Sequence, residues 1–282
     1  MRADLHLHTT ASDGTDSPAA LVFKAREQGI DVISVTDHDT VDGVDPALAA
    51  LPCGMRLISG VEFSCAVFGS DGFRCHILGY GIDHKSAPIT AAIGEGMRKR
   101  REKLFSRLEY IEEGFGIRFP EEDIRELCSY NAVSKLHIAR LLISHGYADS
   151  IGEAIDKYIG PHSPDDRIDA KMAIDAILAS GGIPVYAHPI GGEREMRLDA
   201  VELYRRADIL RDLGIRGLEA YYSRYTARDR APILSVADEL GLFKSGGSDY
   251  HGSNKTVVLG CLDADGLSVS PSELTILREL GI

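Results

Sequence analysis

Short apolar segments rich in β-branched residues alternate with longer amphipathic segments along most of this chain. The short segments predict strands, and the segments between them, which begin at capping residues such as Ser17-Pro18 and end at glycines, predict helices. The predicted strands span residues 2–8, 31–36, 56–62, 75–80, 183–187, 216–220 and 242–246. Strands and helices that alternate through short connections predict an α/β domain whose mostly parallel sheet is open or closed into a barrel.

One stretch departs from this alternation. Residues 97–166 show helical periodicity, with Leu104, Leu108 and Ile111 at helical spacing, and contain no convincing strand. We therefore expect an all-helical insertion that divides an α/β barrel. The expected parts are 1–96 for the first part of the barrel, 97–166 for the insertion and 167–282 for the second part.

Composition excludes several classes of protein. The 31 Lys and Arg residues against 43 Asp and Glu residues give a formal net charge of −12, which disfavours a non-specific binder of duplex DNA. No apolar run approaches the ~18 residues needed to span a bilayer, and the first residues lack the apolar core of a signal peptide. The five cysteines are scattered without a CxxC motif, which fits a reducing compartment. We expect a cytoplasmic protein without a membrane or duplex-DNA partner.

Histidines and carboxylates recur at the ends of the predicted strands. His6 and His8 lie two residues apart on one strand, so their side chains share a face. The carboxyl ends of parallel strands meet at one face of an α/β domain, where binding sites are built. The residues that lie in or after predicted strands also include Asp13, His38, Glu62, His76, His188, Asp249 and His251.

This set of side chains predicts a polynuclear metal site. Imidazoles and carboxylates without thiolates suit Mn²⁺, Fe²⁺, Zn²⁺ or Mg²⁺, and we expect Mn²⁺ first. Nine ligands are too many for one ion and indicate two or three, with Glu62 as the natural bridging carboxylate. Clustered divalent ions activate water and clamp the oxygens of a phosphate, so the site favours phosphoester hydrolysis.

The motifs, in this order, resemble those of the polymerase and histidinol phosphatase (PHP) family. They are His6-Leu7-His8, Asp13, Thr36-Asp37-His38-Asp39, Gly60-Val61-Glu62, His76-Ile77-Leu78-Gly79-Tyr80, Ala187-His188-Pro189 and Ser248-Asp249-Tyr250-His251. The resemblance covers residues 1–85 and 167–260 and implies a distorted (β/α)7 barrel with a trinuclear site. It implies one ion held by His6, His8, Glu62 and Asp249, a second by Glu62, His76 and His188, and a third by Asp13, His38 and His251. An amidohydrolase barrel also begins with HxH, but it commonly uses a carboxylated lysine, and no lysine stands at a strand end between His38 and His188.

The insertion adds a second resemblance. Residues 134–140, Ser-Lys-Leu-His-Ile-Ala-Arg, are similar to a phosphate-binding run in PHP proteins that hydrolyse 3′,5′-bisphosphonucleosides. Ser134 is a plausible N-cap, and free N–H groups at a helix start bind phosphate. Lys135 stands where an arginine is usual, so it offers a point charge in place of a bidentate fork. Lys135, His137 and Arg101 are expected to contact the substrate with Ser134, and Arg224 is a further candidate.

The expected enzyme is a metal-dependent phosphomonoesterase that releases the 3′-phosphate of a small 3′,5′-bisphosphonucleoside and leaves a 5′-mononucleotide. His188 or a water molecule would protonate the leaving ribose oxygen. Three alternatives stay open. They are a 5′-to-3′ exonuclease on short RNA ends, a phosphatase for histidinol phosphate or another small metabolite, and a non-catalytic metal- or nucleotide-binding module.

Overall fold

The computed structural model describes residues 1–130, 133–159, 167–192 and 196–282. Its strands are β1 Ala3–Leu7, β2 Val32–Val35, β3 Arg56–Val67, β4 Phe73–Tyr80, β5 Ile168–Asp169, β6 Ile183–Tyr186, β7 Gly217–Tyr222 and β8 Phe243–Gly247. Its α-helices are α1 Pro18–Glu27, α2 Val44–Ala49, α3 Ala87–Phe115, α4 Glu121–Ser129, α5 Lys135–Ser144, α6 Ile151–Ala154, α7 Ala170–Ala179, α8 Ala200–Leu213, α9 Ala227–Leu240 and α10 Ile276–Glu279. None of these helices has the length and apolar composition that a membrane crossing requires.

Local sequence explains where several of these helices begin and end. Ser17 caps α1, since its hydroxyl accepts a hydrogen bond from Ala20 N, and Pro18 occupies the first helical position. Thr226 caps α9 in the same way, and Gly241 ends that helix in the left-handed conformation at φ 66°. These caps satisfy backbone groups that would otherwise lack partners, so each helix has a defined length.

The strands form one sheet in the order β1-β2-β3-β4-β6-β7-β8, and β5 pairs with β3. The strands β1, β2 and β3 are parallel, as are β6, β7 and β8. The strand β4 is antiparallel to both of its neighbours. The prediction of a mostly parallel sheet is therefore correct except at β4, which follows β3 through residues 68–72. That connection is too short for a crossover, so the two strands form a hairpin.

The sheet nearly closes on itself because the segment after β8 returns to β1. Asp249 N donates to His6 O at 2.9 Å, and His8 N donates to Tyr250 O at 3.0 Å. Gly247 permits this approach, because a Cβ atom there would lie 2.2 Å from His6 Cβ. The predicted α/β barrel is confirmed.

The chain divides into two compact units. The barrel unit comprises residues 1–92 and 168–282, and the helical unit comprises residues 93–167. The helical unit has a hydrophobic core of its own, which includes Leu104, Ile111, Leu127, Ile138 and Leu142. Among the residues of this unit that the structure describes, no strand is present. The helical periodicity read from the sequence thus corresponds to helices that bury one face in that core.

Candidate active site

Nine side chains of the barrel unit converge at one place, and all nine are the residues predicted as metal ligands. They come from β1, β2, β3, β4, β6 and β8 or from the segments that directly follow those strands. Contacts between imidazole nitrogens and carboxylate oxygens connect the whole set: His6, His8, Asp13, His38, Glu62, His76, His188, Asp249 and His251.

The carboxylate of Glu62 lies at the centre of this group. Its side chain is fully buried in β3, and imidazole nitrogens approach both of its oxygens. Near Oε2 lie His6 Nε2 at 3.1 Å, His8 Nε2 at 3.2 Å and His38 Nδ1 at 3.1 Å, and near Oε1 lie His76 Nδ1 at 2.9 Å and His188 Nε2 at 3.2 Å. A carboxylate that presents each oxygen to a separate group of imidazoles has the arrangement of a bridging ligand.

The two oxygens of Asp249 have different neighbours. The Oδ1 atom faces the centre, 3.6 Å from His6 Nε2 and 3.4 Å from His8 Nε2. The Oδ2 atom accepts hydrogen bonds from the hydroxyl of Tyr222 at 2.9 Å and from the ammonium of Lys255 at 2.6 Å. Because Oδ2 is fully engaged, Asp249 can offer only Oδ1 to an ion.

Asp13 enters the site from the loop that follows β1. Its Oδ1 atom lies 3.2 Å from His251 Nε2. The buried carboxylate of Asp37 holds this loop, since it accepts hydrogen bonds from Thr9 N at 2.7 Å, from Thr9 Oγ1 at 2.8 Å and from Ser12 Oγ at 2.6 Å. Asp37 therefore positions the loop and leaves Asp13 to face the imidazoles.

Backbone strain is concentrated at the same face of the barrel. The three residues other than glycine with positive φ in the described part of the chain are Asp39 at 52°, His188 at 28° and Asp249 at 57°. Each follows the end of a strand that supplies the site. Such conformations are costly and persist where the surrounding structure holds them, which is common at functional sites.

Neighbouring charges keep the buried carboxylates ionised. Burial by itself raises the pKa of Glu62, but the neighbouring imidazoles, His6 foremost, outweigh burial and hold this pKa well below its ordinary value. Burial also raises the pKa of Asp249, but its charged neighbours, with His6 again the largest effect, outweigh burial and lower the pKa well below its ordinary value. Two buried anions therefore draw positive charge into the centre.

The pKa values of the imidazoles are shifted in opposite directions. Burial lowers the pKa of His8, but Asp249 and Glu62 outweigh burial and raise the pKa to about 9. The pKa of His6 is raised well above its ordinary value because its acidic neighbours outweigh burial. For His38, burial prevails and lowers the pKa well below its ordinary value. A cation that binds here competes with the protons that His6 and His8 hold.

The donor atoms present fit metal ions. Several buried atoms lie close to an opposite charge or to one another but form no hydrogen bond among the described residues, namely His6 Nε2, both nitrogens of His8, His38 Nδ1 and Glu62 Oε2. A buried polar atom without a partner costs ~1–3 kcal/mol, and coordination removes that cost. Three groups have ligand atoms within 4.8 Å of one another: His8, Asp13, His38 and His251; His6, His8 and Asp249; and His38, Glu62 and His76. None of the three contains a cysteine, in agreement with the predicted imidazole and carboxylate ligands.

The helical unit contains four of the five residues predicted to bind substrate. Ser134 caps α5, and its N–H donates to His137 Nδ1 at 3.0 Å, so these two residues form one capping arrangement. Lys135 begins the helix and is exposed. Arg101 is exposed on α3, whereas the nearby Arg98 pairs with glutamates.

Arg224, the fifth of these residues, belongs to the barrel unit. It follows β7, and its guanidinium donates to Thr256 Oγ1 at 3.2 Å. Its carbonyl accepts a hydrogen bond from the guanidinium of Arg197 at 2.9 Å. The segment that carries Arg224 is therefore held in place by a second arginine.

Three residues at the site were absent from the predictions. Tyr222 and Lys255 contact Asp249, and Glu219 contacts His6 at 2.8 Å. A signal for Glu219 was present, because it is the one charged residue in the six-residue segment of β7, and a charge in a buried strand requires a partner. Lys255 follows β8 without any motif that would mark it.

Comparison with known families decides the identity of the fold. The family model of the PHP domain matches residues 4–163, which is more than half of the chain. The chain belongs to the PHP family. Six of the nine converging residues lie within the match, and His188, Asp249 and His251 lie beyond it.

Three relatives match nearly the whole chain. A 5′-3′ exoribonuclease of Haemophilus influenzae is 33% identical over 88% of this chain and 89% of its own length. A phosphoribosyl 1,2-cyclic phosphate 1,2-diphosphodiesterase of Eggerthella lenta is 29% identical over 89% of this chain and 95% of its own length. A 3′,5′-nucleoside bisphosphate phosphatase of Chromobacterium violaceum is 29% identical over 88% of this chain and 86% of its own length. All three names describe hydrolysis of phosphate esters.

A solved structure shares the fold over the same extent. It is classed as a metal-dependent phosphoesterase of Bifidobacterium adolescentis, with 27% sequence identity, coverage of 94% of this chain and 93% of that chain, and a TM-score of 0.74. Together with the family match, these relatives show that this protein is a metal-dependent phosphoesterase, and hence a hydrolase.

Proposed function

We propose that this enzyme removes the 3′-phosphate of a 3′,5′-bisphosphonucleoside and leaves a 5′-mononucleotide and phosphate. The convergence of five imidazoles on Glu62, within a group of nine imidazole and carboxylate side chains, is the observation that supports hydrolysis. The choice of a substrate with two phosphates is supported by the exposed cation at the start of α5 and by the relative with this named activity.

We assign the nine residues as ligands of two or three divalent ions, with Mn²⁺ as the leading candidate and Fe²⁺, Zn²⁺ and Mg²⁺ as alternatives. One set is His6, His8, Glu62 and Asp249, the second is Glu62, His76 and His188, and the third is Asp13, His38 and His251. Bound ions would supply Lewis-acid stabilisation of the phosphoryl oxygens and an activated water. The chain itself keeps these ligands aimed at the centre through Asp37, Tyr222 and Lys255.

The leaving ribose oxygen requires a proton, and we propose His188 as the catalytic residue that donates it. Its Nε2 atom lies 3.2 Å from Glu62 Oε1, and this contact raises the pKa of His188 against the effect of burial. One nitrogen cannot coordinate an ion and carry the donated proton at the same moment. Loss of the proton would slow only substrates with a poor leaving group, whereas loss of a ligand would slow every substrate.

The second phosphate is proposed to bind in the helical unit. Lys135 supplies a positive charge, Ser134 and His137 shape the start of α5, and Arg101 adds a second exposed cation. Arg224 is proposed as a further phosphate contact. Binding energy from a remote phosphate positions the scissile group without entering the chemistry. The net charge of −12 favours a small nucleotide over a long nucleic acid.

A 5′-to-3′ exonuclease on short RNA is the second candidate, because a relative with 33% identity has that named activity. A site for a terminal 5′-phosphate would serve either substrate. The distinction is whether the ester broken belongs to a terminal 3′-phosphate or to the first internucleotide linkage. The proposed partners are accordingly a small phosphorylated nucleotide and, as the alternative, a short RNA end.

The proposal is tested by following phosphate release with Mn²⁺ from adenosine 3′,5′-bisphosphate, adenosine 5′-monophosphate and histidinol phosphate. A 5′-phosphorylated short RNA is followed in parallel by mononucleotide release. We expect the bisphosphate to have the highest kcat/KM, because it alone among the three small compounds engages both phosphate sites. Equal values for those three compounds would refute a two-phosphate site, and faster cleavage of the RNA would favour the exonuclease.

Replacing Lys135 by Ala is expected to lower kcat/KM for the bisphosphate by about 10- to 100-fold, because a hydrogen bond to a charged group contributes ~1.5–3 kcal/mol. An aryl phosphate, which lacks the second phosphate, should change by less than about twofold. Steady-state kinetics on both substrates measure the difference. Arg125→Ala is the matched control, since Arg125 is an exposed cation of the same unit that pairs with Glu121. Equal losses on the two substrates would contradict the assignment of Lys135.

A further inference from the structure

Another buried carboxylate, Glu219, contacts two of the proposed ligands, His6 and His188. It lies in the middle of β7 with no exposed surface. One of its oxygens, Oε1, lies 2.8 Å from His6 Nδ1, and the other, Oε2, accepts a hydrogen bond from the backbone N–H of His188 at 2.7 Å. His6 and His188 come from different strands, so Glu219 links β7 to both β1 and the end of β6.

We infer that Glu219 is a positioning residue that selects the metal-binding tautomer of His6 and holds His188 in its strained backbone conformation. The inference rests on the ligand assignment proposed above for His6 and His188. It assigns to Glu219 no contact with the substrate or with an ion. Its effect is exerted through the two histidines.

The effect on His6 follows from the geometry of its ring. A carboxylate accepts hydrogen bonds, so when an ion occupies the Nε2 side of His6 the remaining hydrogen would reside on Nδ1, where Glu219 receives it. The lone pair is then on Nε2, the atom that lies 3.1 Å from Glu62 Oε2 and 3.6 Å from Asp249 Oδ1. Outer carboxylates that receive the second N–H of a ligating histidine fix both its tautomer and its orientation.

The effect on His188 acts through the backbone. His188 has a φ of 28°, which is unfavourable for a residue with a side chain. The hydrogen bond from its N–H to Glu219 holds the backbone in this conformation, and His188 Nε2 then lies 3.2 Å from Glu62 Oε1. One carboxylate thus supports ligands on both sides of Glu62.

A glutamine at position 219 would have the same shape but could not make both contacts. Its amide has one accepting oxygen and one NH₂ group that only donates. If the oxygen remains on the His188 N–H, the NH₂ group faces His6 Nδ1 and favours the tautomer with hydrogen on Nε2. If the oxygen remains on His6, the NH₂ group of the glutamine faces the backbone N–H of His188, and neither group can accept a hydrogen bond. Either outcome impairs a proposed ligand.

The experiment compares metal-free wild-type protein with Glu219→Gln and a control, Asp263→Asn. Asp263 is also a fully buried carboxylate of the barrel unit, but it pairs with Arg230 outside the nine-residue site. Titration with Mn²⁺ should show about 10- to 100-fold weaker binding for Glu219→Gln, as expected for loss of a carboxylate behind a ligating histidine. In protein saturated with diamagnetic Zn²⁺, where a coordinated His6 is neutral, ¹⁵N NMR should show the His6 hydrogen on Nδ1 in the wild type, whereas Glu219→Gln should lack this tautomer. Asp263→Asn should unfold at a lower temperature yet keep the wild-type affinity for Mn²⁺.

The Glu219→Asp variant, which keeps two accepting oxygens, should retain the His6 tautomer even though its shorter side chain weakens Mn²⁺ binding. It provides the same two readouts if the glutamine variant does not fold. Wild-type affinity and tautomer in Glu219→Gln would overturn the inference, as would an equal loss of affinity in Asp263→Asn. Wild-type protein that binds Mn²⁺ but does not hydrolyse the bisphosphate would refute the proposed substrate and leave the role of Glu219 intact. Wild-type protein that binds no metal would refute both.

Discussion

Replacing Glu62 by Gln is expected to remove bound metal and to lower phosphate release by at least about 10³-fold. Five imidazole nitrogens lie within 3.2 Å of this carboxylate, and a neutral amide with a single accepting oxygen cannot bridge two ions. Lewis-acid catalysis contributes several kcal/mol to transition-state stabilisation, and each 1.36 kcal/mol is about tenfold in rate. The loss should appear in kcat for every phosphoester substrate, because the chemistry itself is affected.

Metal content by elemental analysis and rates on an aryl phosphate test this prediction together. Thermal unfolding in metal-free buffer checks that the variant folds. Asp263→Asn is again the matched buried carboxylate, and it should keep both metal and activity. A Glu62→Gln protein with wild-type metal content and a wild-type rate would contradict the bridging role.

Replacing His188 by Ala is expected to lower the rate by different factors for substrates with poor and good leaving groups. The difference shows whether His188 donates a proton or acts only as a ligand. General acid catalysis contributes ~10²- to 10⁴-fold when the leaving group is a poor one such as a ribose oxygen. An aryl phosphate with an acidic phenol needs no such proton. If His188 donates the proton, its loss should therefore lower the rate on the bisphosphate about 10²-fold more than the rate on the aryl phosphate.

The matched control is His76→Ala. His76 Nδ1 lies 2.9 Å from the same oxygen of Glu62 that His188 Nε2 approaches. As a ligand alone, His76 should affect both substrates by the same factor. The same factor on both substrates for His188→Ala would show that His188 acts as a ligand without donating the proton.

The strands and the converging residues were predictable because their signals are local. Segment 31–36, DVISVT, is β-branched and apolar, and the structure forms β2 within it before His38. The direction of β4 was not predictable from residue types, since a strand of either direction alternates its side chains in the same way. The short connection at 68–72 was the available signal for a hairpin.

The supporting residues were harder to predict than the converging ones. Glu219 follows no motif, and its partners are 213 residues away at His6 and 31 residues away at His188. Tyr222 is an ordinary aromatic residue of a buried strand until the fold brings its hydroxyl to Asp249. The charge of Glu219 in a buried strand indicates that it needs a partner, but one sequence does not show which distant residue supplies it. The roles of Arg101, Lys135 and Arg224 stay predictions for the kinetics described above.

The segment after β8 returns to β1, and this determines when the site can form during synthesis of the chain. His6 and His8 are made first, whereas Asp249 and His251 are made about 240 residues later. Until β8 is present, the hydrogen bonds that join residues 249 and 250 to β1 cannot form, and the first pair of histidines lacks its aspartate. Contacts of such long sequence separation form late in folding, and binding free energy at such a site adds to the free energy of folding. Uptake of ions by the full ligand set is therefore tied to a finished barrel, and a chain that stops short of β8 lacks a complete centre.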